Sequence, residues 1–190
     1  MLSRSMKTGL FEIVRMNMQH VYNDGGRAAA GFKGKAGDCC ARAFAIATGR
    51  SYQEVYDLIN ELAASERRGK RKRGISSART GVYKVTAHKL AYALNDRVRW
   101  VPTMQIGSGC QVHLTDGELP AGRLVASVSR HYTAVIDGVI HDTHDPQRDV
   151  HCIRPDDGEL KRGEWRNENG ICSIARRCVY GYWDFTNLRI

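Results

Sequence analysis

The clearest periodicity in the chain follows Ser51-Tyr52-Gln53-Glu54, where Val55, Leu58, Ile59 and Leu62 recur every three or four positions. That spacing lays an apolar stripe along one helix face, and a serine three residues ahead of a glutamate is a capping box. A helix is therefore predicted to about Ala64. Just upstream, Cys39 to Thr48 is apolar except for Arg42, with Asp38 placed to cap a short helix and Gly49 to stop it. Val82, Val85, Leu90, Ala91 and Leu94 suggest a third helix. Strand patterns follow. Val98, Trp100 and Pro102 alternate with polar neighbours, Arg123 to Ser129 is apolar and β-branched, and Arg130 to Thr143 reads as a hairpin about Asp137-Gly138. Cys178 to Trp183 reads as a closing strand. Residues 1–37 look mostly irregular after an initial amphipathic piece. Residues 149–177 form a polar excursion with turns at Asp156-Asp157-Gly158 and Asn167-Glu168-Asn169-Gly170, expected to be an insertion. Helices first and sheet afterwards predict one α+β domain over residues 1–190, N-terminal helices packed on a C-terminal antiparallel β-sheet.

Composition supports a folded domain, since 42% hydrophobic and 26% charged residues exclude a disordered chain. No stretch approaches the ~20 apolar residues of a membrane span. Met1 to Gln19 lacks the apolar core of a secretory signal. A cytoplasmic location with no membrane contact is expected, and in a reducing cytoplasm the six cysteines should mostly be free thiols. The net charge of +9 favours anionic partners. Much of it lies in a basic loop at 65–80, where Arg67, Arg68, Lys70, Arg71, Lys72 and Arg73 form either a solvated surface or a contact for nucleic acid or another polyanion.

Charge also bears on chemistry at one cysteine. A thiol at the first turn of a helix faces unpaired N–H groups and the positive end of the helix dipole, which favour the thiolate. Cys39 has that placement; Cys40, about 100° further round the helix, should pack in the core. If Asp137-Gly138 is a two-residue turn, Thr133 lies opposite Asp142, and His131, Thr133, Val135, Ile140, Asp142 and His144 share one side of the hairpin. Asp142 is then diagonal to His131, within reach to hold the imidazole in one tautomer, with Asp145 the second choice. Cysteine, histidine and carboxylate together read as an activated nucleophile. Other groupings carry less. Cys110 and His113, with His151, Cys152, Cys172 and Cys178, lack the tight paired spacing of a structural zinc site. Gly107-Ser108-Gly109 matches no strand-to-helix phosphate motif. No metal and no cofactor are expected.

Several segments also carry a resemblance. Asp38-Cys39 with Ala45-Ile46-Ala47-Thr48-Gly49, Tyr52-Gln53-Glu54-Val55-Tyr56, Ser77-Ala78-Arg79-Thr80-Gly81-Val82, Trp100-Val101-Pro102-Thr103-Met104 and Ile106-Gly107-Ser108-Gly109-Cys110 contribute. So do His131-Tyr132-Thr133-Ala134-Val135-Ile136-Asp137-Gly138 and Cys178-Val179-Tyr180-Gly181-Tyr182-Trp183. Over most of the chain from Asp24 onward they resemble proteins of tailed bacteriophages that are similar to the papain-like cysteine peptidase superfamily. The resemblance implies a papain-like fold, a host-cell cytoplasmic setting, and Cys39 as nucleophile, His131 as base and Asp142 as orienting carboxylate. Papain relatives place a glutamine shortly before the nucleophile to stabilise the oxyanion. Here Lys33 stands six residues upstream and no Gln or Asn lies between Asp24 and Cys39, so the Cys39 N–H is the one donor named. The expected function is a cysteine-dependent hydrolase or acyl transferase acting on a peptide, isopeptide or related amide bond of a host or phage protein. The alternative is a catalytically silent papain-like protein that binds a host protein or nucleic acid through its basic surface.

Overall fold

A computed structural model describes residues 17–67, 74–104, 107, 109–148, 150–154, 164–167, 170–174 and 176–187. Its elements are β1 (His20–Tyr22), α1 (Cys39–Thr48), α2 (Tyr52–Ala64), α3 (Lys84–Leu94), β2 (Arg99–Pro102), β3 (Arg123–Val128), β4 (His131–Ile136) and β5 (Val139–Asp142). β6 (Val150–Arg154), β7 (Glu164–Asn167), β8 (Gly170–Ile174) and β9 (Val179–Asp184) follow.

Local chemistry sets the helix boundaries. The Ser51 hydroxyl accepts from the Glu54 amide at 3.2 Å, the expected cap of α2. Gly49 ends α1 in the left-handed region at φ 71°, where a side chain would be strained. The last carbonyls of α1 are taken by the Arg123 guanidinium, with Nε donating to Ala47 O and Nη2 to Ile46 O, both at 2.7 Å. A cation at a helix C-terminus also opposes the dipole there. α3 begins at Lys84 and buries Ala87, Leu90, Ala91 and Leu94. Val85, read as part of that stripe, is 67% exposed, because Thr86 and Ala87 turn inward in its place.

Three helices pack on a six-stranded sheet ordered β1-β5-β4-β3-β9-β2. The sheet is mixed rather than antiparallel: β1, in a segment expected to be irregular, runs parallel to β5, with His20 opposite Ile140. The β4–β5 hairpin has the expected register, Ile136 opposite Val139 and Ala134 opposite His141. Its turn residues Asp137 and Gly138 have φ 48° and 80°, the double positive that a type I′ turn requires. β9 is an interior strand between β3 and β2. There Gly181 leaves no room for a side chain, since a Cβ would lie 2.3 Å from the Trp100 ring.

Both faces of the sheet are covered. Phe44, Val55, Ile59, Leu90, Val125, Ala134 and Trp183 share a core with the helices. Met18, Leu114, Leu124, Val128, Val135, Ile140 and Val179 form a second core. Burial on two sides explains why Arg123 to Val128 reads as a continuous apolar run instead of alternating.

Two features go beyond what the sequence suggested. The polar excursion at 149–177 contains a separate three-stranded sheet, β6-β8-β7, with Asn167 opposite Gly170 at the predicted turn. The cysteines are not all free: Cys110 and Cys178, 68 residues apart in sequence, form a disulfide. They meet because His113 bridges Cys178 just ahead of β9, bringing the two Cα atoms to 5.9 Å. Of the basic loop at 65–80, Arg68, Lys70, Arg71, Lys72 and Arg73 lie outside the described residues, as does the turn at Asp156-Asp157-Gly158. Among the described residues no helix is long and apolar enough to cross a membrane.

Candidate active site

Cys39 is the first residue of α1 and His131 the first of β4, so both stand where a regular element begins at one rim of the sheet. There the thiol and the imidazole line the same cleft, close enough for each to shift the ionisation of the other. Asp142, the last residue of β5, completes the line, its Oδ2 lying 2.7 Å from His131 Nε2. With Nε2 occupied, Nδ1 is the ring nitrogen left for the sulfur. Asp142 is fixed in turn by the Thr143 amide, which donates to Oδ1 at 2.7 Å. Asp145, the second-choice carboxylate, accepts instead from the Gln147 amide at 2.9 Å.

Electrostatics follow from this geometry. Burial opposes ionisation of Cys39, but the hydrogen bond and charge of His131, the Tyr132 amide and the Arg42 guanidinium outweigh it and hold the thiol below its usual range. Burial likewise opposes the imidazolium. The Asp142 hydrogen bond and then the Cys39 sulfur prevail, raising His131 to about 9. Asp142 is lowered by the hydrogen bond and charge of His131, against the cost of its own burial. Both shifts run toward the charged forms, the thiolate and the imidazolium. Cys40, as expected, is fully buried, and burial pushes its thiol well up.

Asp38 departs from its expected role. It occupies the N-cap position of α1, but its carboxylate makes no hydrogen bond to the helix amides. It is buried and accepts from Arg27 Nε at 2.7 Å and from the Tyr52 hydroxyl at 2.6 Å, while Arg42 Nε sits 3.1 Å from its other oxygen. The first-turn amides are thereby left uncapped by this side chain, open to negative charge developing at the thiol. Arg42 continues to the Thr143 hydroxyl, tying the first turn of α1 to the end of β5. Arg27 also donates to the carbonyls of Phe32, Lys33 and Gly34, shaping the loop before the thiol. Sequence reasoning missed this network. Arg42 did leave a signal: it is the one cation in an apolar helix, three residues after Cys39 and hence one turn further on the same face.

The thiol opens into a cleft of about 410 Å³ between the loops at 36–37 and 80–82 and the β3–β4 turn. Gly37 lets the first two loops meet: its amide donates to Arg79 O at 2.8 Å, and a Cβ there would lie 3.2 Å from Thr80 O. His144, exposed at the mouth, has its ring 4.9 Å from that of His131. His131, Asp142 and His144 offer ligand atoms within 4.8 Å of one another, a set that could hold a metal. In this arrangement His131 Nε2 and Asp142 Oδ2 are 2.7 Å apart, closer than the roughly 3.3 Å between two ligands of a tetrahedral zinc, so the pair is closed on itself as a hydrogen bond. The metal set weighed around Cys110 loses two of its thiolates, because Cys110 and Cys178 are bonded to each other, and His113 Nδ1 lies 3.1 Å from Glu118 Oε2.

The geometry therefore sets a thiol whose ionisation is favoured, at the start of a helix, beside an imidazole whose protonation is favoured. In comparisons with known proteins no family model matches this chain, no curated protein matches it, and no solved structure matches its fold.

Proposed function

We propose that the protein is a cysteine-dependent hydrolase or acyl transferase acting on a peptide, isopeptide or related amide bond, with Cys39, His131 and Asp142 in the roles that papain-like peptidases give such residues. The observation that carries this is a helix-start thiol lining one cleft with His131, whose ring is hydrogen-bonded to a buried carboxylate. The Cys39 sulfur attacks the carbonyl carbon, and the negative charge gathering on its oxygen is met by the Cys39 N–H at the start of α1. His131 passes its Nδ1 proton to the leaving nitrogen as the C–N bond breaks, giving a thioester and a free amine. Water or an acceptor amine then attacks the thioester, His131 takes the proton from that nucleophile, and the sulfur leaves as thiolate. Asp142 keeps Nε2–H pointed at itself throughout, so that Nδ1 remains the working nitrogen.

A thiol-directed acyl probe followed by peptide mapping tests the reading. Labelling is expected at Cys39 ahead of every other cysteine, and to be lost in His131→Ala. Uniform labelling of several cysteines, indifferent to that substitution, overturns it.

A further inference from the structure

The walls of the cleft hold two guanidiniums and no carboxylate among the described residues. Arg42, Arg130, His131 and His144 line it. The two nearest carboxylates, Asp38 and Asp142, are buried and turned to other partners. Asp38 serves both Arg27 and Arg42, so two guanidiniums share one anion and leave a positive surplus beneath the thiol.

Arg130 differs from the other cations. It is exposed, precedes His131 directly, and makes no hydrogen bond or ion pair among the described residues. It is also, among the described residues, one of two non-glycine residues with positive φ, at 58° in the β3–β4 turn, a conformation that costs a side chain energy. Arg177 Nη2 holds this turn by donating to Ser129 O at 2.7 Å. The guanidinium is therefore presented to the cleft from a fixed backbone, with none of its five donors used among the described residues. A forked cation in that state matches a carboxylate in shape and in charge.

The cleft also continues. A second hollow of about 360 Å³ shares Thr80, Gly81 and Val82 with the first and adds the half-exposed Ile75 and Tyr83. A chain reacting at Cys39 can run on across Gly81, where nothing stands within 4 Å of a built Cβ. The reacting carbonyl then lies inside a chain rather than at its end, and the carboxylate beside it comes from a side chain.

On the reading of Cys39 and His131 given above, we propose that the substrate is an acidic peptide, with an Asp or Glu next to the reacting carbonyl held by Arg130, and an apolar residue in the Ile75–Val82–Tyr83 hollow.

Two reagents of equal size test the charge: iodoacetate and iodoacetamide. Each forms an S–C bond with loss of iodide. The ratio of their rates at Cys39, divided by the ratio for glutathione, removes intrinsic reactivity and any effect of thiol ionisation common to both. It is expected to exceed one by several-fold, to fall several-fold in Arg130→Gln and to fall again at 1 M salt. Short peptide aldehydes ending in Asp or Asn test the side chain, since the sulfur adds to the aldehyde carbon and its oxygen takes up a proton. The Asp form should bind roughly tenfold tighter, with the preference lost in Arg130→Gln. The His131 imidazolium also attracts anions, so the Arg130 substitution decides. Selective alkylation of Cys39 with no preference for either anionic reagent, or with a preference that Arg130→Gln leaves intact, overturns this inference alone. A Cys39 no more reactive than the other thiols defeats the underlying enzymatic reading instead.

Discussion

Replacing Asp142 by Asn is the most informative single perturbation of the site. Asn keeps the shape and can still accept from His131 Nε2, so the ring stays in place while the charge disappears. The contact is 2.7 Å long between side chains 10% and 6% exposed, which is the short, shielded geometry of a charge-assisted hydrogen bond. Such bonds contribute about 1.5–3 kcal/mol, and at 1.36 kcal/mol per pKa unit that corresponds to about one to two units of His131 basicity. His131 stands at about 9, so it should titrate at roughly 7 to 8 in Asp142→Asn. The sign follows directly. The carboxylate favours the charged ring, and removing it lets the proton leave at lower pH. NMR titration of the His131 ring carbon-bound proton reads the midpoint. Alkylation of Cys39 against pH reads the consequence, because a ring that deprotonates earlier stops supporting the thiolate earlier. A His131 midpoint unchanged within about 0.3 units would show that the carboxylate does not govern the imidazole, and the assignment of Asp142 as orienting group would fail.

Three further outcomes are expected. In His131→Ala, burial of Cys39 is no longer opposed by its chief partner, so the pH at which alkylation reaches half its plateau should move upward; an unmoved profile would dissociate the two residues. Asp38→Asn leaves Arg27 and Arg42 sharing no anion, and breaking a buried ionic group of this kind should cost about 3 kcal/mol or more in urea unfolding, where a loss under about 1 kcal/mol contradicts the network. Reducing the Cys110–Cys178 bridge frees a loop whose ends are 68 residues apart, which the chain-entropy relation values at roughly 4 kcal/mol, readable as a lower denaturation midpoint in reductant.

Much of the site was legible in the chain because its parts are encoded locally. The Ser51–Glu54 box, the Gly49 stop and the Asp137-Gly138 turn are short-range signals, and the hairpin register placed Asp142 diagonal to His131 by period-two geometry alone. Long-range pairings were not legible. Nothing near His20 announces a parallel partner 120 residues away, because three residues of edge strand carry too little pattern. Asp38 looked like a helix cap because sequence shows the position but not the competing donors, and Arg27 and Tyr52 reach it only after folding. The Cys110–Cys178 bridge was hidden for the same reason, and by the expectation that the surroundings would keep thiols reduced. Val85 fitted a helical stripe with Leu90 and Leu94, but Thr86 and Ala87 hold its place on the buried face.

The guanidinium of Arg123 on the final carbonyls of α1 has a partner in Arg42 at the other end, where the first turn is fastened to Thr143. One strut belongs to β3 and the other reaches the residue after Asp142, so the helix that begins at Cys39 is bolted fore and aft to the sheet that carries His131. Sulfur and imidazole are thereby referred to one frame, so their separation is set by the fold and not by two independent side chains.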